Sequence, residues 1–198
     1  MMRKSFLFVL FFAAANSFAV YFDIGLGFGG TSTSVGGKSF GDACEGCSEL
    51  SVDLGLRVGG QINEQFWIAG EFGGVGNRYY DSENYVQFNT YMLGPSFIYY
   101  PAEHGQLFGT VGYAWTGNMT DLRDEYGYTA TVYNGSGFAL ALGGGYNFGT
   151  ENGALLGAKL FFSSVTLEES HKDEANVGLL VFVRFVHKST GGGSGRPD

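Results

Sequence analysis

The chain has 198 residues, enough for one domain that buries a core or closes a small barrel. Glycine is abundant at 34 residues, aromatic residues make up 17% and charged residues 15%, which excludes disordered and collagen-like chains and favours short, closely packed strands. The formal net charge of −8 argues against nucleic acid as a partner, because a phosphate backbone calls for clustered Lys and Arg.

The first 19 residues have the pattern of a secretory signal peptide. Arg3 and Lys4 form a positive region, Phe6–Ala15 an apolar region, and Ser17–Ala19 a small-x-small cleavage site. The apolar region is shorter than the roughly 20 residues of a membrane-spanning helix. A buried N-terminal helix is the alternative. We therefore expect a mature chain from Val20, outside the cytoplasm, and its formal charge becomes −10 when Arg3 and Lys4 leave.

Eight segments of the mature chain have the alternation of extended strands with two different faces. They are residues 20–30, 50–60, 66–74, 85–100, 106–117, 137–148, 154–167 and 176–186. The fourth segment is apolar on both faces, so its register stays open. Pro95 in that segment predicts a bulge or a local break in pairing, since proline has no N–H to donate.

The connections between these segments alternate in length. Short turns are expected at residues 61–65, 101–105 and 150–153, and longer loops at 31–49, 77–84, 118–136 and 168–175. Short turns at one end and long loops at the other are typical of outer-membrane barrels. With an even strand count, both termini and the turns would be periplasmic and the loops extracellular.

The charges inside the strands indicate which face of each strand avoids lipid. They are Asp23, Asp53, Arg57, Glu71, Lys159 and Arg184. All six fall opposite the apolar stripe, as a lipid-facing stripe demands, because one Arg or Lys at mid-bilayer costs about 2–4 kcal/mol. A soluble sandwich is the alternative, but its surface would be about 25–35% charged. The sequence therefore predicts an all-β, eight-stranded antiparallel up-and-down transmembrane β-barrel.

The same six charges predict the state of the lumen. Eight strands leave an interior that side chains fill, and inward glycines make room for long charged ones. Three acidic and three basic groups can neutralise each other, and an unpaired buried charge is expensive. Asp53 and Arg57 lie about 13 Å apart along one strand, so each needs a partner on another strand. We expect a lumen plugged by ion pairs, with a narrow channel gated by those pairs as the alternative.

In strand count, loop alternation and composition the mature chain resembles the small outer-membrane barrels of the OmpA/OmpX type. The segment "YMLGPSFIYY" at Tyr91–Tyr100 is similar to the fourth strand of that family. The resemblance implies contact with outer-membrane lipid and lipopolysaccharide, and we expect a monomer with no cofactor and no bound metal. The barrel is expected at 20–186 and a flexible periplasmic tail at 187–198, too short for a cell-wall-binding domain.

The last strand resembles the C-terminal signal by which the barrel-assembly machinery recognises its substrates. Its pattern of polar, glycine, hydrophobic and final aromatic positions is matched by Asn176, Gly178, Val181, Val183 and Phe185. The resemblance implies that machinery as a partner during assembly.

Two pairs of residues in the long loops raise chemical alternatives. Cys44 and Cys47 form a C-x-x-C motif, for which a loop disulfide in an oxidising exterior is favoured over a redox dithiol or a zinc site.

Lipid A-modifying enzymes resemble this scaffold and use a Ser/His pair, for which Ser170 and His171 are the candidates. His104 and His187 fall at the periplasmic side. Adjacent residues on an exposed loop rarely make a catalytic pair, so no enzyme is expected.

The four long loops are all acidic. Acidic loop tips beside phosphorylated lipids imply bridging divalent cations or a basic partner, while solubility alone is the alternative explanation. Five loop tyrosines are candidate contacts for a surface or host ligand, namely Tyr79, Tyr80, Tyr126, Tyr128 and Tyr133. We therefore expect a structural role in the membrane combined with surface contacts.

Overall fold

The computed structural model describes residues 19–43, 47–80, 85–124, 127–149 and 152–189. These residues form a closed barrel of eight antiparallel strands, together with a two-residue strand and one helical turn. The barrel strands are β1 (Val20–Val35), β2 (Ser48–Gln61), β3 (Phe66–Tyr80), β4 (Tyr85–Tyr99), β5 (Gly105–Asp124), β6 (Gly127–Asn147), β7 (Asn152–Leu167) and β8 (Asp173–Lys188). Each strand pairs with its neighbour in sequence, and β1 pairs with β8 to close the barrel, so the predicted up-and-down topology is confirmed.

The outer wall of the barrel is apolar. Large outward side chains such as Phe28, Leu54 and Leu179 are 57%, 58% and 59% exposed, and every strand carries such residues. A water-soluble monomer rarely exposes a contiguous apolar surface of this extent, whereas a barrel in lipid requires one. The alternation therefore places apolar side chains outward, and the transmembrane fold class is confirmed. In the described ranges no helix is both long and apolar enough to cross a membrane.

The third long loop was predicted wrongly. Residues 118–136 belong largely to β5 and β6, which stay paired to Asp124 and Gly127. The segment contains Thr, Val and Tyr, residue types that favour strands. Its charged residues led to the prediction of a loop instead. The result is a hairpin that extends beyond the apolar wall.

The first long loop folds back over the barrel. Gly36 and Gly37, at φ 59° and 76°, turn the chain in a left-handed conformation that suits glycine, and Lys38–Ser39 then pairs back onto β1. A helical turn follows at Phe40–Ala43. The ring of Phe40 lies 5.0 Å from that of Tyr79, which is buried in the barrel mouth. The proposal of Tyr79 as a surface contact is therefore wrong, because its side chain faces inward.

The structure settles the register of β4. Its inward residues include Phe88, Thr90, Met92, Ser96 and Ile98, and its outward residues include Tyr91, Leu93 and Phe97. Leu93 pairs with Tyr113 and Ser96 with Thr110, whereas the two positions between them leave the ladder with β5. Because the register is the same on both sides, the ladder has a local break at Pro95 and no bulge.

The barrel has a turn end, which holds the connections at 62–65, 100–104 and 148–151. The opposite end is the loop end. Buried apolar side chains fill the interior in two clusters. The turn-end cluster includes Tyr21, Trp67, Tyr100 and Phe182, and the loop-end cluster includes Met92, Phe161 and Leu180. The strand charges lie between and beside these clusters.

Candidate functional site

Three of the six strand charges lie side by side on one rung of the barrel. The register pairs Asp23 on β1 with Arg57 on β2, and Arg57 with Glu71 on β3. All three side chains point into the lumen and are 0% exposed. Arg57 Nη1 lies 3.2 Å from Asp23 Oδ2, and Arg57 Nε lies 2.8 Å from Glu71 Oε2. One guanidinium therefore joins two carboxylates from the strands on either side.

Arg184 on β8 completes a four-residue ring with these three. Its Nη1 atom lies 2.7 Å from Asp23 Oδ1, and its Nη2 atom lies 3.5 Å from Glu71 Oε1. Each guanidinium thus contacts both carboxylates, and the ring carries no net charge. Buried ion pairs are tolerated when every charge is compensated and hydrogen-bonded in this way. We call Asp23, Arg57, Glu71 and Arg184 the charge ring.

Neutral side chains satisfy further atoms of the charge ring. Tyr21 donates a 2.5 Å hydrogen bond to Asp23 Oδ2, and Gln106 Nε2 donates to the Tyr21 hydroxyl at 2.8 Å. Thr110 donates to Glu71 Oε2 from the far wall of the barrel. The ring is therefore held by β5 as well as by the strands that carry its charges.

Aromatic groups cover the charge ring on the turn side. The Arg57 guanidinium carbon lies 3.6 Å from the centroid of Phe108, a cation–π arrangement. Gln106 Nε2 also donates to the Tyr100 hydroxyl at 3.0 Å. Tyr100 follows β4, and burial raises the pKa of its phenol, so this group stays uncharged.

The remaining two charges form a separate pair. Lys159 Nζ lies 2.5 Å from Asp53 Oδ1, and the two residues come from β7 and β2, which are not neighbours. Among the described residues, Asp53 Oδ2 and Arg184 Nε are buried and lack a hydrogen-bond partner.

Two inward glycines give the charge ring its space. A Cβ atom on Gly25 would lie 2.3 Å from Arg184 Cγ, and one on Gly55 would lie 2.5 Å from Arg184 Nη2. Real Cβ atoms do not make contacts this short, so a Cβ at either position would force the Arg184 side chain to move.

All six predicted lumen residues thus point inward, and each contacts at least one opposite charge. Sequence reasoning missed Tyr21, Gln106, Phe108 and Thr110. Their inward direction followed from alternation in β1 and β5, but their contacts with the charges depend on the closed barrel. Alternation was the one available signal, and it identifies a face without identifying a neighbour.

A second polar cluster at the loop end was also missed. Thr33 donates to Asn176 Oδ1 at 2.6 Å, and Asn176 Nδ2 donates to Glu174 Oε1 at 2.9 Å. Asn118 donates to the other oxygen of Glu174. Glu174 is 0% exposed, so its assignment to an acidic surface loop is wrong, because β8 begins at Asp173 and turns this side chain inward.

The predicted assembly-signal residues all lie in β8. Asn176 faces the lumen, whereas Val181, Val183 and Phe185 are outward and more than half exposed. Gly178 lies against Thr31 of β1, whose Oγ1 atom would be 2.7 Å from an added Cβ. Strand β8 continues to Lys188, two residues past the expected end of the barrel.

The structure describes some of the candidate residues in the loops and leaves others outside the described ranges. His171 lies in the exposed turn between β7 and β8 at φ 54°, and no hydrogen bond joins it to Ser170 among the described residues. Cys44 and the signal peptide through residue 18 lie outside the described residues, so the disulfide and the signal remain predictions. Within the described ranges, no group of three or more His, Cys, Asp and Glu side chains could hold a metal ion.

Known structures share this fold. No protein-family model and no curated protein matches the chain. The crystal structure of Ail, the attachment invasion locus protein of Yersinia pestis, matches with a TM-score of 0.54 and 14% identity over 85% of this chain and 99% of that chain. A second structure of Ail, in complex with the heparin analogue sucrose octasulfate, matches with the same values. Neisserial surface protein A matches with a TM-score of 0.49 and 16% identity over 83% of this chain and 97% of that chain. The chain therefore has the fold of the small eight-stranded outer-membrane β-barrels.

Proposed function

We propose that this protein is a monomeric bacterial outer-membrane barrel whose lumen is plugged and whose role is structural and interactive at the cell surface. The turns and termini lie in the periplasm and the loop end is extracellular. The observation that carries this proposal is the charge ring, which spans the lumen between β1, β2, β3 and β8 and is neutral and fully buried.

The plug consists of several layers. From the turn end, Trp67 and Tyr100 belong to one apolar cluster, the charge ring and the Asp53–Lys159 pair follow, and Met92 and Phe161 belong to the next cluster. An ion that crossed would have to break compensated charge pairs and enter spaces lined by apolar side chains. Such a path is costly in a low dielectric.

Planar-bilayer recording tests the plug. The purified barrel should show no steady conductance on the nanosiemens scale. The alternative is a narrow channel gated by the ion pairs, and the unpartnered Asp53 Oδ2 and Arg184 Nε favour it because they offer a route to exchange partners. Steady conductance in the wild-type chain that rises in Glu71→Gln and stays constant in the exposed-loop control Lys172→Gln would establish the channel and overturn the plug.

The surface role depends on the acidic loops. Carboxylates near phosphorylated lipids attract divalent cations or a basic partner, so the expected ligand differs in charge from the heparin analogue bound by Ail. If the loops bind divalent cations, Ca²⁺ should raise the thermal stability of the barrel in lipopolysaccharide-containing vesicles. Neutralising Glu168 and Glu169 together should reduce that increase, and an unchanged increase would argue against these loops as the site.

Assembly by the barrel-assembly machinery belongs to the same proposal. The outward Val181, Val183 and Phe185 are accessible on the last strand, as a recognition signal in β8 requires.

A further inference from the structure

An open groove interrupts the apolar outer wall on strands β2 to β4. The outward row of β3 is Phe72, Gly74, Gly76 and Arg78, in which two successive positions carry no side chain. The groove that borders the two glycines has a volume of about 470 Å³, with Leu54 on one side. On the other side the Tyr91 ring leans over Gly74, where an added Cβ would lie 2.9 Å from Tyr91 Cδ1. This volume lies in the range of small-molecule binding pockets.

The groove changes from apolar to polar along its length. Near the middle of the wall it is lined by Ile24, Leu54 and Phe72. Toward the loop end it is lined by Gln87 and Asn89, whose amides contact each other at 2.7 Å. Asn89 Nδ2 also donates to the backbone oxygen of Gly117 at 2.9 Å. Outward amides on a lipid-facing wall are costly without polar partners, and an amide group has two N–H donors and two acceptor lone pairs, more than these contacts use.

A cation lies next to the polar end of the groove, beside the lining residue Gln87. Arg78 is exposed and pairs in register with Gln87, and its guanidinium lies 3.8 Å from the ring centroid of Tyr85. It forms no ion pair with any residue that the structure describes. An apolar groove that leads to two amides and a guanidinium matches an acyl chain followed by hydroxyl and phosphate groups.

We propose that this groove binds an acyl chain of a phosphorylated glycolipid of the outer leaflet, with the phosphate at Arg78 and the sugar hydroxyls at Gln87 and Asn89. This inference rests on the proposed function, which places the loop end at the outer leaflet. A glycolipid is preferred to a phospholipid because the amides both donate and accept hydrogen bonds and so suit sugar hydroxyls. A single Arg near the surface contributes about 1 kcal/mol, or about fivefold, to the binding of an anionic lipid.

Tryptophan fluorescence can report on the occupant. The chain has two tryptophans, of which Trp67 is buried in the lumen and Trp115 is half-buried on the outer face of β5. The Trp115 ring lies 5.8 Å from Tyr91 and 6.1 Å from Phe72, both of which line the groove. In a Trp67→Phe background, bromine atoms on a bound acyl chain should quench Trp115.

The experiment uses the full barrel in vesicles of unlabelled phosphatidylcholine with increasing mole fractions of one brominated lipid. The probes are bisphosphorylated lipid A, phosphatidylglycerol and phosphatidylcholine, each with brominated chains. Lipid A should reach half-maximal quenching at a mole fraction several times lower than either phospholipid. Equal mole fractions for lipid A and phosphatidylcholine would overturn the site, and equal mole fractions for lipid A and phosphatidylglycerol would overturn the choice of glycolipid.

Variants test the residues of the groove. Gly76→Val should remove the preference for lipid A by filling the groove, since a Cβ there approaches only side-chain atoms, Asn89 Oδ1 at 3.1 Å first. Arg78→Gln should raise the half-maximal mole fraction about fivefold. Gly30→Val is the matched control, because Gly30 is also exposed toward the loop end and an added Cβ would meet nothing within 4 Å. Unchanged quenching in both groove variants would contradict the inference.

Failure of the proposed function gives a different result. If the chain does not span the bilayer as a barrel, brominated phosphatidylcholine at high mole fraction will fail to quench Trp115. If the chain spans it but the groove is not a site, all three lipids will quench Trp115 equally.

Discussion

Lys159 Nζ and Asp53 Oδ1 lie 2.5 Å apart across the lumen, although 106 positions separate them in sequence. Both side chains are at most 2% exposed. Removing either partner leaves a buried charge without compensation, which typically costs 3–5 kcal/mol.

A double-mutant cycle should show this coupling. Lys159→Met and Asp53→Asn should each lower the free energy of unfolding by about 3–5 kcal/mol, and the double variant should lose less than the sum by about 0.5–3 kcal/mol. Urea unfolding in lipid vesicles, followed by tryptophan fluorescence, measures these changes. The exposed-loop variant Lys172→Met should stay within about 0.5 kcal/mol of the wild type. Strict additivity would mean that the two charges do not interact.

Replacing the inward glycines near Arg184 by alanine should lower the free energy of unfolding. Gly25→Ala should destabilise the barrel by about 1–3 kcal/mol, because its Cβ would meet Val183 backbone oxygen at 2.4 Å as well as Arg184. Gly55→Ala should cost less, since it meets only the end of the Arg184 side chain. Gly30→Ala, with open space around it, is the control. Equal stabilities of all three variants in the same urea assay would contradict the close packing.

Lipid contact of the outer wall predicts a cost that depends on depth. Leu54 and Leu50 both lie on the outer face of β2, and Leu50 is closer to the loop end. Leu54→Arg should cost about 2–4 kcal/mol and Leu50→Arg about 0–1 kcal/mol. The migration of unboiled and boiled samples on gels checks that each variant folds, because a folded barrel migrates faster before boiling. Identical mobility of the unboiled and boiled wild-type protein would count against the whole architecture.

The last residue of the assembly signal can be separated from barrel stability. Phe185→Ser should reduce the amount of barrel assembled in cells, whereas Leu179→Ser should have a smaller effect on assembly, since Leu179 is outward on the same strand but outside the signal pattern. Leu179 and Phe185 are 59% and 54% exposed, so the two variants remove similar lipid contacts. The fraction of heat-modifiable protein in isolated membranes is the measurement. An equal loss in both variants would assign the effect to stability and remove the case for a signal.

The alternation in the sequence was sufficient to predict the fold class, the number of strands and the direction of all six strand charges. Period-two alternation separates two faces, and the cost of a charge in lipid decides which face is outside. The same reasoning failed where polar residues continue a strand past the apolar wall. The hairpin of β5 and β6, the buried Glu174 and the inward Tyr79 all lie in such extensions.

Only the tertiary structure decided which charges meet. A shift of a strand by two residues keeps every side chain on its face and changes every neighbour, so alternation cannot distinguish one register from another. The register placed Asp23, Arg57 and Glu71 on one rung, and closure of β1 on β8 brought Arg184 to the same ring. Closure also put β7 across the lumen from β2, which joined Lys159 to Asp53. The sequence by itself determined that these charges are buried together, and the barrel geometry determined their partners, because contacts across a lumen depend on strands that are distant along the chain.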